Sequence, residues 1–239
     1  MDRLSCWSRG VNMLNYIIYM LPALILSMIA QIYVKSAYSK WSQVRNYHNI
    51  TGIEAAQQLT TRVGLSDIRL TRTPGSLTDH YDPRDNTLAL SQGVADQPTV
   101  AALAITAHEL GHAMQDRENY APMKLRSAIV PMVNIGSNLG WILLMLGLVL
   151  RIANLAWLGV ILFSAGALFS LITLPVELNA SKRARQMLTS TGLVVNAEEE
   201  KGVANVLNAA ALTYVAGLAT SLMQLFYFGS MAGGLGRRR

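Results

Sequence analysis

Residues 108–112 read His-Glu-Leu-Gly-His, and these positions hold the residue types needed for metal-assisted hydrolysis. Two histidines four apart on an α-helix project from the same face, one turn above the other, so both imidazoles can bind one zinc ion. Glu109 lies beside them, where a carboxylate can take a proton from an activated water and pass it to a leaving amine. Zinc would lower the pKa of water toward about 7 and polarise a scissile carbonyl. The bland alternative is a helix carrying two solvated histidines. The chemistry expected is hydrolysis of a peptide bond, with His108 and His112 on the metal and Glu109 as general base.

A catalytic zinc takes a third protein ligand and keeps one position open. Several carboxylates compete for that place. Asp116 continues the histidine face but stands two turns from His108. Glu118 stands where a longer zinc motif has its last ligand, but Gln115 occupies the position at which that motif requires glycine. Glu198, Glu199 and Glu200 form a charge run, the usual mark of a solvated face. Glu177 fits best. It opens a polar segment directly after an apolar stretch, where a carboxylate is costly without a partner such as a metal. The competing partner for Glu177 is Lys182 or Arg183.

These residues must be positioned by a chain of 239 residues, of which 51% are hydrophobic and only 14% charged. Its mean hydropathy is +0.29. That apolar excess implies that part of the chain uses lipid as its solvent. Four uncharged stretches are long enough to span a bilayer: residues 11–34, 127–150, 152–175 and 204–228. Arg151 by itself separates the second and third, so a tight helical hairpin is expected over 127–175. The fourth carries Asn208, Thr213, Thr220 and Gln224, and is read as a transmembrane or re-entrant helix packed against protein. The first stretch is too long for a signal peptide and reads as a retained anchor. Cys6 is the one cysteine, which excludes an internal disulfide or a thiolate metal cluster.

The main polar region, residues 35–126, holds the histidine motif and forms the expected catalytic region. Residues 52–63 have helical spacing, and a second helix is expected from Pro98 to about Gln115. Leu65 to Thr71 and Thr87 to Leu90 read as strands, with turns at Pro74-Gly75-Ser76 and from Asp82 to Asn86. A second polar segment, 176–203, would carry Glu177 on a helix. Two spans separate His112 from Glu177, so the chain leaves and returns to the same side of the membrane.

Net charge is +6, and the basic residues flank the apolar stretches rather than forming a stripe, which excludes a nucleic-acid partner. Lys35, Lys40, Arg45, Lys124, Arg126, Lys182, Arg183 and Arg185 fall on the side of the polar segments; Arg3, Arg9, Arg151 and Arg237–Arg239 fall on the other. The balance predicts a cytoplasmic catalytic face in a bacterial-type plasma membrane. Asn49-Ile50-Thr51, a formal glycosylation sequon, would then be inert.

Four blocks carry a family resemblance: residues 80–84 (His-Tyr-Asp-Pro-Arg), Leu90-Ser91, 107–115 (Ala-His-Glu-Leu-Gly-His-Ala-Met-Gln) and 175–181 (Pro-Val-Glu-Leu-Asn-Ala-Ser). With residues 207–214 they make the chain similar to the YugP-like family of membrane zinc metallopeptidases over nearly its whole length. The resemblance implies a gluzincin: zinc at His108, His112 and Glu177, with Glu109 as general base. In related gluzincins an acidic residue often follows the glutamate ligand by four positions; here that place is Ser181, so the partner of the histidines stays unassigned. Fold analogy further suggests that the strand at 87–91 offers an edge to an extended substrate, and His80 or Tyr81 could supply an oxyanion donor.

The combined expectation is a mainly α-helical membrane protein with four transmembrane helices and a small α+β, zincin-like catalytic unit. Zinc would be the cofactor, peptides or proteins (membrane proteins among them) the substrates, and the lipid bilayer the surroundings. The rival reading is a zinc-stabilised, non-catalytic membrane scaffold or chaperone-like binder.

Overall fold

The computed structural model describes residues 13–236; Arg3, Cys6, Arg9, Val11 and Arg237–Arg239 lie outside them. Seven helices and three strands follow in the order α1 (Met13–Trp41), α2 (Gly52–Arg62), β1 (Arg69–Thr73), β2 (His80–Asp82), β3 (Thr87–Ser91), α3 (Gln92–Ala95), α4 (Val100–Arg117), α5 (Ala121–Leu150), α6 (Ala153–Ser190) and α7 (Ala197–Gly236). Of these, α1, α5, α6 and α7 are long and apolar enough to cross a membrane. The chain is a mainly helical membrane protein with a small mixed sheet, and it divides into two compact units.

One unit comprises the described residues of Met1–Ile29, Leu125–Leu174 and Tyr214–Arg239. Here α5 and α6 form a hairpin joined by Arg151 and Ile152, with Arg151 in a left-handed conformation at φ 57°. Small residues let the two backbones touch: a Cβ on Gly140 would meet the backbone of Phe163 and Gly159, and one on Gly147 the backbone of Ala156. Such contacts replace the hydrophobic drive that lipid removes between helices. Sparse polar pairs add to them, Ser27 with Thr220 at 3.3 Å and Ser170 with Ser221 at 3.2 Å. Large side chains such as Ile135, Val149, Ile161 and Phe226 stay exposed, as lipid-facing residues do.

The other unit comprises Ala30–Lys124 and Pro175–Thr213. Its sheet has the order β1-β3-β2, with β1 parallel and β2 antiparallel to β3. All five residues of β3 are buried, as a central strand covered on both faces requires. Leu59, Leu88, Leu90, Leu103, Leu110, Leu188 and Leu207 fill the core. Helix α2 begins at a capping box in which Thr51 and Glu54 satisfy each other's backbone N–H groups.

Several local expectations shift. The strand expected over residues 65–71 forms only from Arg69. Gly64 turns left-handed at φ 75°, so Leu65 and Ile68 enter the core from a turn rather than by strand alternation. The helix expected from Pro98 starts at Val100, because Thr99 accepts the N–H of Ala102 and serves as the N-cap. The Pro98 carbonyl instead accepts from Asn46 N. The substrate edge expected on the strand at 87–91 is not available: β3 is paired on both sides, and β2 is an outer strand. His80 and Tyr81 sit in β2.

Candidate metal centre

Helix α4 carries the motif into the core on an alanine-rich face, Ala101, Ala102, Ala104 and Ala107, each almost fully buried. Short side chains let neighbouring elements approach. At Gly111 the approach brings backbone to backbone: a Cβ there would lie 2.6 Å from the carbonyl oxygen of Ala180 on α6. Contacts between the two helices pair Gln115 with Val176 and Asn179, Gly111 with Ala180, and His108 with Ser181. Residue numbers run in opposite senses along this contact, so the helices are antiparallel here. That crossing sets Glu177 opposite both histidines.

Glu177 Oε2 lies 3.3 Å from His108 Nε2 and 3.4 Å from His112 Nε2. All three ligand atoms lie within 4.8 Å of one another. Tetrahedral zinc holds nitrogen and oxygen ligands at about 2.0–2.2 Å, which spaces ligand atoms about 3.3 Å apart. The two imidazole planes meet at 86°, and the Nε2 atoms of both rings face the same Glu177 oxygen. Two nitrogens and one carboxylate oxygen at this spacing fit zinc.

The second ring nitrogens are committed elsewhere. Gln115 donates both amide hydrogens, to Val176 O at 2.8 Å and to Asn179 Oδ1 at 2.9 Å. Its oxygen must therefore be the atom 3.0 Å from His112 Nδ1, and it accepts from that nitrogen. The neutral imidazole then carries its proton on Nδ1 and leaves an Nε2 lone pair for the metal. Ser181 Oγ stands 3.2 Å from His108 Nδ1 and can set that ring in the same way.

Glu109 is partly buried, and its Oε2 accepts the backbone N–H of Tyr81 at 3.2 Å. Burial pushes its pKa above the usual carboxylate value, against the pull of His108 and His112. For His112 burial acts to lower the pKa, but the hydrogen bond its ring donates to Glu177 and the charge of Glu109 outweigh it and hold it above the usual imidazole value. In the metal-free protein a proton can thus take the place of a cation between His112 and Glu177.

The other carboxylates are engaged away from this cluster. Asp116 accepts from the Tyr81 hydroxyl, and Glu118 pairs with Arg183 at 2.7 Å. Arg183 is thereby held by Glu118 and Asn179, and Lys182 is exposed. The run at 198–200 is not uniformly solvated: Glu199 is buried and accepts from Tyr47 N and Val195 N. Tyr81 also differs from the expected oxyanion donor, because its hydroxyl is engaged by Asn86 and Asp116. His80 points Nδ1 at Thr78 O. Sequence reasoning does not pick out Gln115 as a partner of His112, and it notes Ser181 at its place four residues after Glu177 without an assigned role. Their helical offsets, three from His112 and four from Glu177, were the available signal.

A model of the family described as "Putative neutral zinc metallopeptidase" matches residues 16–233. The chain is 44% identical over 213 residues to "Putative membrane protease YugP" of Bacillus subtilis (strain 168), covering 89% of this chain and 94% of that protein. No solved structure matches the chain.

Proposed function

This chain belongs to the neutral zinc metallopeptidase family, and on that premise we propose a membrane-embedded endopeptidase in which His108, His112 and Glu177 hold the zinc and Glu109 is the general base. The observation that carries the reading is the convergence of two imidazole nitrogens and one buried carboxylate at tetrahedral spacing. When bound, zinc polarises the scissile carbonyl and brings the pKa of water toward about 7. Glu109 takes the proton of the attacking water, whose oxygen bonds to the carbonyl carbon. It then delivers that proton to the amine as the C–N bond breaks. A carboxylate whose pKa burial has raised is suited to both halves of this transfer. Gln115 and Ser181 orient the imidazoles. Substrates are peptides or proteins. The polar segments face the cytoplasm of a bacterial-type plasma membrane, a reading supported by the basic residues at their ends.

The test is zinc content and peptide cleavage of detergent-purified protein, with Glu109→Gln and Glu177→Ala beside wild type. Zinc in wild type and Glu109→Gln but not in Glu177→Ala, with cleavage in wild type only, supports the assigned roles. A Glu177→Ala variant that kept zinc and activity would overturn them. A Glu109→Gln variant that kept full function would favour the zinc-stabilised scaffold instead.

A further inference from the structure

Strand β2 is bonded to β3 through one of its edges. The N–H of Tyr81 does not enter that ladder; it donates to Glu109 Oε2 at 3.2 Å. The side chain of the same residue reaches α4 at a second point, where its hydroxyl lies 3.1 Å from Asp116 Oδ2. Glu109 and Asp116 are seven residues apart, two turns along one face of α4. Tyr81 thus spans two turns of the motif helix, touching it with its backbone at one end and its phenol at the other.

The far end of this contact is itself braced. The Tyr81 hydroxyl also lies 2.9 Å from Asn86 Oδ1, and Asn86 donates its amide hydrogens to Asp67 O at 3.2 Å and Asp67 Oδ2 at 2.9 Å. Those bonds leave the Asn86 oxygen as an acceptor, so the one phenolic hydrogen is shared between Asn86 and Asp116. Asp67 pairs in turn with Arg117, the last residue of α4. The brace therefore leaves the helix at Asp116 and returns to it at Arg117, with Tyr81 at its inner end. Asn86 lies in the turn between β2 and β3, left-handed at φ 54°, a conformation asparagine adopts readily.

We propose that Tyr81 is a positioning residue for the general base: its phenol, pinned by Asp116 and Asn86, fixes where its backbone N–H holds the Glu109 carboxylate. This rests on the assignment of Glu109 as base. A fixed donor on one carboxylate oxygen restricts rotation of the side chain and aims the other oxygen. Reacting groups displaced by about 1 Å can lose on the order of a hundredfold in rate, so loosening the donor should be read in kcat.

The experiment compares wild type, Tyr81→Phe, Asp116→Ala and Asp116→Asn on a quenched fluorescent decapeptide chosen from a random pool by wild-type cleavage. Zinc content is measured in each, and hydrogen exchange at the Tyr81 amide in wild type and Glu109→Ala. Tyr81→Phe should lose about tenfold in kcat, with KM and zinc content close to wild type. Asp116→Ala should lose similarly and Asp116→Asn, which keeps an acceptor oxygen, should recover most of the loss. The double variant Tyr81→Phe/Asp116→Ala should be no worse than Tyr81→Phe alone, since Asp116 acts through the phenol that Tyr81→Phe removes. Exchange at the Tyr81 amide should accelerate in Glu109→Ala. Wild-type kcat in Tyr81→Phe, or a loss that tracks zinc content or Tm and moves KM equally, overturns the inference. A wild-type protein that binds zinc and cleaves nothing in the pool would instead count against the proposed peptidase reading, and the exchange result would still test the Tyr81–Glu109 bond.

Discussion

A histidine binds metal through one nitrogen, and what the other nitrogen touches decides whether that lone pair is presented. Gln115 has spent both its hydrogens on α6, so it can only accept from His112, and the ring has one usable tautomer. Gln115→Leu should lower zinc affinity by about 10–100-fold with the fold retained, measured by chelator competition and Tm. Ser181→Ala should cost less, because water can replace a hydroxyl beside a partly buried ring. The raised pKa of His112 gives a further expectation. In the metal-free protein the protonated ring pairs with Glu177. That stabilisation is fully present below the ordinary histidine value of about 6.5 and disappears as pH rises through the raised folded value. Zinc requires the neutral ring, so its affinity should climb about tenfold per pH unit for each proton displaced, and should level off only above the raised value. A zinc affinity that does not change between about pH 6 and pH 8 would contradict this account.

Among the elements, the decisive one is the crossing of α4 and α6. Gly111 sits at the contact with Ala180, and nothing larger fits without moving a backbone. Gly111→Ala should therefore push the helices apart and spread the three ligand atoms. We expect destabilisation of about 1–3 kcal/mol together with loss of zinc, read by thermal melting and metal analysis. If Gly111→Ala melted and bound zinc as wild type does, this contact would not set the site. The glycine between the histidines stands in the sequence without a visible reason. Only the distance to Ala180 shows that a backbone lies there. The same holds for β3. Its apolar run marked a strand correctly, whereas its place at the centre of the sheet depends on pairing with β1 and β2, which no local pattern encodes.

At the scale of the molecule, the spread of apolar surface is the main physical fact. Ile32, Ile135, Val149 and Phe226 are more than half exposed on long helices, which water would not tolerate in bulk. Removal of detergent from purified protein should cause aggregation, with recovery on reconstitution into lipid. The proposed orientation has its own check. After Cys6→Ser, a cysteine placed at the exposed Lys201 should react with a membrane-impermeant maleimide only once cells are permeabilised. Labelling of intact cells would place the polar segments outside and reverse the proposed orientation.

The sequence by itself pointed to zinc-peptidase chemistry and to lipid as the solvent. A motif with ligands four apart needs only helical periodicity to be read, and uncharged stretches of bilayer length need only hydropathy. It also pointed to Glu177, since two intervening spans bring the chain back to one side. Tertiary structure decided how the ligands are held. Ser181 meets His108 across a helix crossing, Gln115 holds His112 from the same helix while its amide hydrogens are tied to α6, Tyr81 reaches Glu109 from a strand 28 residues earlier, and Glu199 leaves its charge run to bind Tyr47 N. Apart from the Gln115–His112 contact within α4, each of these joins elements far apart in the chain, and its partner is set by packing geometry rather than by any spacing along the sequence.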